Sequence, residues 1–502
     1  MGGNLVAHSA KEHYRQIFDR RTPGEMRTLA HIKRFLECFL GDAGFRSALS
    51  ENLDNPRTAA AGYGIEVDPM EMLPLWHPNY LKFDRKPERA SWPLAVAWRE
   101  YIGEMVHNRD LLRDEGNMSV AAPRFHAWRE RQMRRCEDVL GDCSKSITHP
   151  VIAFELSEGC TGGCWFCGLS AGRFKDYFEY SKEHADLWRG VVGAAREMFG
   201  SAASTGFCYC STDPMDNPDY DRFLFDYYQI TGTLPQTTTA MPLKNLALTK
   251  RVLELFERYR CVTNRFSVLS TEQLNQIHST FSPEDLMGVE LVLQGKDMPS
   301  SKAFAGRARN EKLSVAKNGD ATPLSKSDHT TIACVSGFLV NMPRRRVQLV
   351  TPVPASRRWP LGYRILDERF FETPDEFQDE VQSMIDEHMH DSPPSNRPFR
   401  FRGDLQYEAK RHHFLLRSRH WEYQVPDNAA SISVGDLIAG GQCTASEIVA
   451  RVVTDGASAI GVADELDQLH TKGLLEEPGV VARARYEHRC RDRAGEHADV
   501  SS

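Results

Sequence analysis

The chain has 502 residues, of which 41% are hydrophobic, and it carries a formal net charge of -7 at pH 7. That charge argues against a general nucleic-acid-binding protein, and no apolar run approaches the roughly 18 residues of a membrane helix, which argues against a membrane protein. The amino terminus lacks the pattern of a signal peptide and the twelve cysteines are scattered, so we expect a cytoplasmic protein in a reducing compartment.

Residues 1–148 are predicted to form a helical N-terminal region. Apolar residues recur at three- and four-residue spacings within Glu25–Leu40 and Pro93–His107, which is typical of amphipathic helices. A domain usually has about 100–200 residues, so the chain has room for one or two further domains after this region.

Residues 149–296 show a different pattern, in which short apolar runs alternate with amphipathic segments. This alternation predicts parallel strands joined by helical crossovers, which is the core of an α/β domain. Strands are predicted at Val151–Leu156, Thr205–Cys210, Arg265–Leu269 and Val289–Gln294, and helices at Tyr180–Phe199 and Leu243–Tyr259.

Residues 297–411 are predicted to form a lid and a substrate region that follow the core. Residues 297–328 are polar and rich in turn formers, which predicts a long loop. The later elements are an apolar stretch with Cys334 (Thr330–Val340), a strand (Val347–Val350) and an amphipathic helix (Pro374–His388).

Residues 412–480 form a small separate unit in this interpretation, and residues 481–502 a charged tail. A strand pair over His413–Val425 precedes three helical segments, one of which begins with Thr444 and Glu447 at the spacing of a capping box. The unit resembles the winged-helix precursor-recognition elements of peptide-modifying enzymes, which implies a peptide-recognition module. A winged helix that only packs on the rest of the chain is the alternative.

Cys160, Cys164 and Cys167 form a C-x3-C-x2-C run in the loop after the first predicted strand. Four-iron clusters normally take one thiolate per iron, so three cysteines leave one iron open to an exchangeable ligand. A structural zinc site is the alternative, but it needs a fourth ligand and no second cysteine pair stands nearby. A disulfide would require an oxidising compartment.

With Phe166 just before its last cysteine, this run resembles the motif of the radical S-adenosylmethionine (SAM) enzymes. The resemblance implies a 4Fe–4S cluster held by the three cysteines, SAM chelated to the open iron, and an electron donor such as flavodoxin or ferredoxin. It also implies an α/β fold: a partial (β/α)6 radical SAM barrel with a helical N-terminal region and a small winged-helix-like C-terminal module. Catalysis would then take place at the carboxyl ends of the barrel strands.

The resemblance also implies contacts to SAM. Phe166 corresponds to the aromatic residue beside the adenine, and Asp213 stands where the family has a Gly-Gly-Glu-like stretch that meets the SAM amino group. An Asp-Pro turn that ends a strand is the structural alternative for Asp213. Thr238 and Ser267 lie at predicted strand ends where the family binds the ribose and carboxylate of SAM.

Two later segments, Ala-Cys-Val-Ser-Gly-Phe around Cys334 and Arg-Trp-Pro-Leu-Gly-Tyr around Trp359, resemble the radical SAM peptide epimerases. No dense group of further cysteines suggests an auxiliary cluster, and no cobalamin-binding domain is apparent. The resemblance implies conversion of L- to D-residues in a ribosomally made precursor peptide, with the Cys334 thiol returning a hydrogen to Cα. Cys208 and Cys210 are alternative donors, and a buried inert thiol is the structural alternative for Cys334.

Two other functions are compatible with the same residues. One is a different radical SAM peptide modification, such as carbon–carbon crosslinking, which would remove two hydrogens from the peptide. The other is a non-catalytic iron–sulfur protein that binds peptide and releases no 5′-deoxyadenosine.

Overall fold

The computed structural model describes residues 9–117, 122–260, 264–296, 298, 305–310, 335–393, 396–411, 413–425 and 429–477. It is a mixed α/β structure, and no helix among these residues has the length and apolar character needed to cross a membrane. Cys334 and most of the predicted loop over 297–328 lie outside the described residues.

The N-terminal region is helical, as its apolar spacing predicts. Ser9 and Thr22 cap the first two helices, and a glutamate three residues later completes a capping box in each case. Phe35, Phe45 and Trp76 pack against one another in a hydrophobic core that belongs to this region. The helices are α1 (Ala10–Asp19), α2 (Pro23–Gly41), α3 (Ala43–Glu51), α4 (Pro56–Ala61), α5 (Pro93–Asn117) and α6 (Pro123–Leu140), with 3-10 turns at Pro69–Leu75, Pro78–Phe83 and Gly141–Ser146.

The middle of the chain supplies the strands of a central sheet. They are β1 (Ile152–Glu155), β4 (Thr238–Thr239), β5 (Asn264–Val268), β6 (Val289–Leu293), β7 (Gly337–Asn341), β8 (Arg346–Pro352) and β9 (Tyr363–Phe370), and β2 (Ser157–Glu158) and β3 (Asp176–Tyr177) form a separate pair. β7 pairs in parallel with one side of β1, and β8 and β9 continue from it in antiparallel order. On the other side of β1, single bridges through Phe207 and Gln236 lead to the parallel strands β4, β5 and β6. The described strands form an open sheet and no closed barrel.

Side chains alternate between the two faces of this sheet, as strand geometry requires. Ile152 and Phe154 of β1 pack into the main core, where Phe154 contacts Trp188 of a covering helix. Ala153 points to the opposite face, which we call the far face, and clusters there with Tyr363. The helices that follow the strands are α7 (Lys182–Phe199), α8 (Tyr220–Thr231), α9 (Leu246–Tyr259), α10 (Thr271–Thr280) and α11 (Pro374–His388).

The strand predicted at Thr205–Cys210 is wrong. The segment begins with a 3-10 turn over Gly200–Thr205, and only Phe207 bridges to neighbouring strands. The hydroxyl of Tyr227 donates to the carbonyl of Ala203, and a Cβ at Gly206 would lie 2.4 Å from that hydroxyl. This close approach by α8 holds the chain in a turn.

The described residues between 406 and 471 form three helices and a three-stranded antiparallel sheet, which together we call the C-terminal unit. The strands come first, and the sheet begins at Gln406, before residue 412. Thr444 and Glu447 form the capping box that their spacing predicts. The elements are β10 (Gln406–Ala409), β11 (Phe414–Arg417), β12 (Glu422–Val425), α12 (Ala429–Gly440), α13 (Ala445–Thr454) and α14 (Ala459–Thr471).

Buried charged groups hold the C-terminal unit on α6. Arg402 is 2% exposed and donates to Asp138 of α6 at 2.6 Å and to Asp404 at 2.7 Å. The hydroxyl of Tyr423 donates to the other oxygen of Asp138 at 2.7 Å. Breaking a buried charged pair typically costs about 3–5 kcal/mol, so the unit is attached firmly.

The C-terminal unit lies at the amino end of the central sheet. Gln132 of α6 accepts from Thr351, which follows the last paired residues of β7 and β8 at that end. Arg364 at the start of β9 pairs with Glu476, which follows the last helix of the unit. The loop that leaves β1 is at the opposite, carboxyl end.

Candidate metal centre

The three cysteines lie in one loop, residues 159–171, which we call the cysteine loop. The β2–β3 pair closes its base, where the N–H of Cys160 donates to the carbonyl of Gly172 at 3.0 Å. Gly159 has φ +78°, and a Cβ there would lie 2.1 Å from the carbonyl oxygen of Arg173. The loop is therefore fixed where it leaves β1.

Within the loop, backbone N–H groups point at the sulfur atoms. Gly162 donates to Sγ of Cys160 at 3.2 Å, and Ala171 donates to Sγ of Cys167 at 3.5 Å. A Cβ at Gly162 would lie 3.4 Å from Sγ of Cys160 and 3.5 Å from Sγ of Cys164. A Cβ there would be in ordinary van der Waals contact with both sulfurs, so Gly162 borders the two thiols directly.

The cysteines of this loop are free thiols that are partly exposed. Burial raises the pKa of Cys160 to about 12 and the pKa of Cys164 to about 11. These two thiols are therefore protonated at neutral pH when no metal is bound, and metal binding has to displace their protons.

The three sulfurs of the cysteine loop do not form a compact group in this structure. Among the described residues, the one group of three potential ligand atoms within 4.8 Å of one another is Asp367, Glu387 and His388, so at least two of the cysteine sulfurs lie further apart. A zinc ion with Zn–S bonds of about 2.3 Å would require its ligands closer together and a fourth ligand. Three thiols are the number of protein ligands that a 4Fe–4S cluster with one open iron would take.

The group of Asp367, Glu387 and His388 is a network of ion pairs. Arg369 donates to Asp367 at 2.9 Å and lies 2.9 Å from Glu387, and His388 lies 3.0 Å from Asp367. Burial alone would raise the pKa of Asp367, but the hydrogen bonds from His388 and Arg369 outweigh it and lower that pKa. The arginine already supplies the positive charge that a metal ion would bring.

Segments that follow other strands of the sheet meet the cysteine loop. Asp216 accepts the N–H of Thr161 at 2.9 Å and its hydroxyl at 2.6 Å, and Lys244 forms an ion pair with Asp216. Lys296, just after β6, lies over the ring of Trp165 at 5.5 Å. The carboxyl ends of the parallel strands therefore converge at the cysteine loop, which is where enzymes with this kind of strand arrangement place their sites.

Asp213, the predicted contact to the SAM amino group, is buried behind this loop. It accepts from the hydroxyl of Thr239 at 2.7 Å and from the N–H groups of Ala240 at 2.8 Å and Met215 at 3.0 Å. Burial raises the pKa of Asp213, although these hydrogen bonds act to lower it. A carboxylate has about four acceptor positions, so most of this capacity is used within the protein, and the SAM contact stays a prediction.

Thr238 and Ser267 lie on the far face of the sheet. Thr238 pairs with Arg265, and Ser267 is two residues further along the same strand, so both share that face. The buried hydroxyl of Thr238 has no hydrogen-bond partner among the described residues, and neither has the buried side-chain oxygen of Gln294 just after β6. Both atoms are on one face of the sheet, but Thr238 is level with Glu290 and Gln294 is four residues further along β6.

The structure separates the two alternative hydrogen donors. Cys208 packs in the main core beneath the helices, whereas Cys210 lies on the far face with Ala153 and Val335. Burial strongly raises the pKa of Cys208. Cys334, the predicted donor, lies outside the described residues, although Val335 next to it belongs to the far-face cluster with Cys210.

Three residues that contact the cysteine loop were missed by the sequence interpretation: Asp216, Lys244 and Arg307, whose guanidinium donates to the carbonyls of Cys164 and Ala171. Asp216 was visible only as part of an Asp-Pro-Met-Asp turn, and no sequence signal pointed to the other two. Phe166, which was predicted to lie beside adenine, packs edge-on against Trp165 with ring centres 5.8 Å apart; its contact to SAM stays a prediction.

Comparison with known proteins shows that most of the chain is similar in sequence to one relative. Over 472 residues it is 63% identical to the uncharacterized protein y4wI of Sinorhizobium fredii (strain NBRC 101917 / NGR234), covering 94% of this chain and 92% of that protein. The family model of the protein y4wI C-terminal domain matches residues 399–473, which corresponds closely to the C-terminal unit. No solved structure matches the chain.

Proposed function

We propose that this chain, which belongs to the family of protein y4wI, is a radical SAM enzyme that converts L- to D-residues in a ribosomally made precursor peptide. The observation that carries the proposal is the cysteine loop. Its three thiols, Cys160, Cys164 and Cys167, lie in one loop at the carboxyl end of β1, and Gly162 borders two of the sulfurs.

SAM is proposed as the second cofactor because polar groups line the far face of the sheet. Thr238 and Gln294 each have a buried oxygen without a described partner, and Ser267 lies on the same face as Thr238. When bound, the cluster and SAM supply a 5′-deoxyadenosyl radical that can remove a hydrogen from a substrate Cα. A partial (β/α)6 barrel is the fold that the resemblance implies, and the parallel pairing of β4, β5 and β6 supports this part of the proposal.

Epimerisation then requires a second hydrogen source on the opposite side of the substrate carbon. Cys334 is the proposed donor, because it lies in the segment that resembles the peptide epimerases. Cys210 is the alternative donor, because it lies in the far-face cluster together with Val335, the neighbour of Cys334. Either thiol would give a hydrogen atom to the planar carbon radical from the side away from the first abstraction, and this inverts the centre. The thiyl radical left behind would return to the thiol by taking one electron from the external electron donor and one proton from solvent.

A peptide substrate is supported by the C-terminal unit as well as by the resemblance. Its three helices pack on a three-stranded antiparallel sheet, and a separate family model covers it. We propose that this unit is a winged-helix-like module that recognises the precursor peptide.

The cofactor part of the proposal is tested by anaerobic reconstitution of the full chain with iron and sulfide. We expect about four irons per chain, a broad visible absorbance, and 5′-deoxyadenosine after reduction in the presence of SAM. The matched control is Cys143→Ser, at an exposed cysteine outside the loop, which should behave like the wild type. Zinc without iron in the wild type would contradict the proposal.

The reaction is tested with the precursor peptide encoded beside the gene, incubated anaerobically in D2O and followed by mass spectrometry and chiral analysis. A gain of one deuterium per inverted Cα is the expected result. A loss of two hydrogens without Cα deuteration would instead identify crosslinking. Peptide binding without 5′-deoxyadenosine would identify a non-catalytic binding protein.

A further inference from the structure

A short segment distant in sequence, residues 305–310, lies directly on the cysteine loop. The guanidinium of Arg307 donates to the carbonyl of Cys164 at 2.7 Å and to the carbonyl of Ala171 at 2.8 Å. Its backbone N–H donates to the carbonyl of Cys167 at 2.9 Å. Arg307 therefore contacts residues 164 and 171, the two ends of the stretch that contains Cys164 and Cys167.

The segment is packed against the loop through its backbone. Gly306 has φ +53°, and a Cβ there would lie 2.0 Å from the carbonyl oxygen of Gly168 and 2.9 Å from that of Cys167. Its N–H donates to the carbonyl of Pro360 at 2.7 Å. Because backbone atoms cannot move aside as a flexible side chain does, residue 306 has to be glycine for this contact to form.

Arg307 also brings a positive charge without a compensating carboxylate. Lys244 is paired with Asp216 and Arg344 with Glu158, whereas within the described part of the chain Arg307 forms no ion pair and donates to carbonyl groups. A cluster held by three thiolates carries net negative charge, which increases on reduction. Net charge and hydrogen bonding near a cluster are the main determinants of its reduction potential.

We propose that Arg307 is a positioning residue that holds Cys164 and Cys167 in place for the cluster and favours its reduced state through its charge. This inference rests on the proposed function. Partners that orient metal ligands typically change metal affinity by about 10- to 100-fold when they are mutated, and the two side-chain contacts of Arg307 are of that kind.

The test compares Arg307→Lys and Arg307→Gln with Arg173→Gln in the full chain. Arg173 is exposed on the segment after the loop, and its side chain makes no hydrogen bond or ion pair with any described residue. We expect about tenfold weaker iron retention against a chelator in both Arg307 variants. A more negative midpoint potential is expected in Arg307→Gln only, because lysine keeps the charge. Arg173→Gln should match the wild type in both measurements.

A second readout works without the cluster. In iron-free protein, the alkylation rates of Cys164 and Cys167 should rise in Arg307→Gln and in Gly306→Ala, and stay unchanged in Gly172→Ala, where a Cβ meets nothing within 4 Å. Unchanged alkylation and iron retention in the Arg307 variants would overturn the inference. Failure of the wild type to take up iron would instead overturn the proposed function. The alkylation rates would still show whether Arg307 holds the cysteine loop in place.

Discussion

Asp216 receives both the backbone N–H of Thr161 at 2.9 Å and its hydroxyl at 2.6 Å. Thr161 directly follows the first of the three cysteines, and the carboxylate of Asp216 is fully buried. Lys244 adds a charge-assisted contact to the same carboxylate. The position of the first thiol is therefore set by a residue of another segment.

We predict that Asp216→Asn destabilises the protein by about 2 kcal/mol, because the amide loses the charge-assisted hydrogen bonds to Thr161 and Lys244. Iron uptake should fall as well, since the loop is no longer held at Thr161. Urea unfolding and iron analysis measure the two effects. Asp186→Asn, at an exposed ion pair, should change stability by less than about 0.5 kcal/mol, and an equal effect of both variants would contradict the prediction.

Each of the substitutions Cys160→Ser, Cys164→Ser and Cys167→Ser should abolish cluster absorbance after reconstitution. A hydroxyl is a poor substitute for a thiolate towards iron. Metal analysis and absorbance spectra check this result. Retention of a full iron complement by any one of the three variants would remove that residue from the ligand set.

The hydrogen donor should be identified by deuterium incorporation in D2O. We predict that Cys334→Ala abolishes deuterium gain at Cα while 5′-deoxyadenosine still forms, because abstraction precedes return of the hydrogen. Cys208→Ala should leave incorporation unchanged, since Cys208 packs beneath the helices. Loss of incorporation in Cys210→Ala, together with normal incorporation in Cys334→Ala, would assign the role to the far-face thiol.

Attachment of the C-terminal unit should weaken in acid. Burial would raise the pKa of Glu477, but Arg135 and Arg131 outweigh it and lower the pKa to about 2 from its usual 4.5. A group whose pKa is lower in the folded state stabilises the protein above its unfolded pKa, and this contribution is lost as pH falls from about 4.5 towards 2.

The loss should be on the order of 2–3 kcal/mol, and urea unfolding at a series of pH values measures it. Glu477→Gln should be less stable than the wild type near neutral pH and should show a flatter dependence in this acid range. An identical acid dependence in both proteins would rule out Glu477 as its source.

The features that could be predicted from the sequence are those encoded by nearby residues. The strand at Ile152–Glu155, the cysteine spacing and the helix at Pro374–His388 follow from local apolar patterns and caps. The helix at Tyr220–Thr231 was missed, because its aromatic residues have modest helix propensity. Packing of Phe223 and Tyr227 against Trp188 stabilises it instead.

Contacts between distant parts of the chain could not be predicted. Arg307 and Cys164 are 143 residues apart, and Asp216 and Thr161 are 55 apart. No sequence spacing predicts either contact, because each one depends on which strand ends lie next to each other in the folded sheet. The different faces of Cys208 and Cys210 could not be predicted for a related reason. The segment predicted as a strand is a turn in which only Phe207 bridges to its neighbours, so side chains do not alternate strictly between the two faces.

Asp138 and Arg402 attach the C-terminal unit firmly to α6, which fixes its distance from the cysteine loop. The unit lies at the amino end of the sheet and the cysteine loop at the carboxyl end. Under the proposed function, a peptide held by the unit and modified at the loop therefore has to span at least the length of β1. Four strand residues span about 13 Å, so at least about four extended residues must separate the held segment from the first modified position. Shortening that spacer one residue at a time should stop modification abruptly, whatever residues it contains.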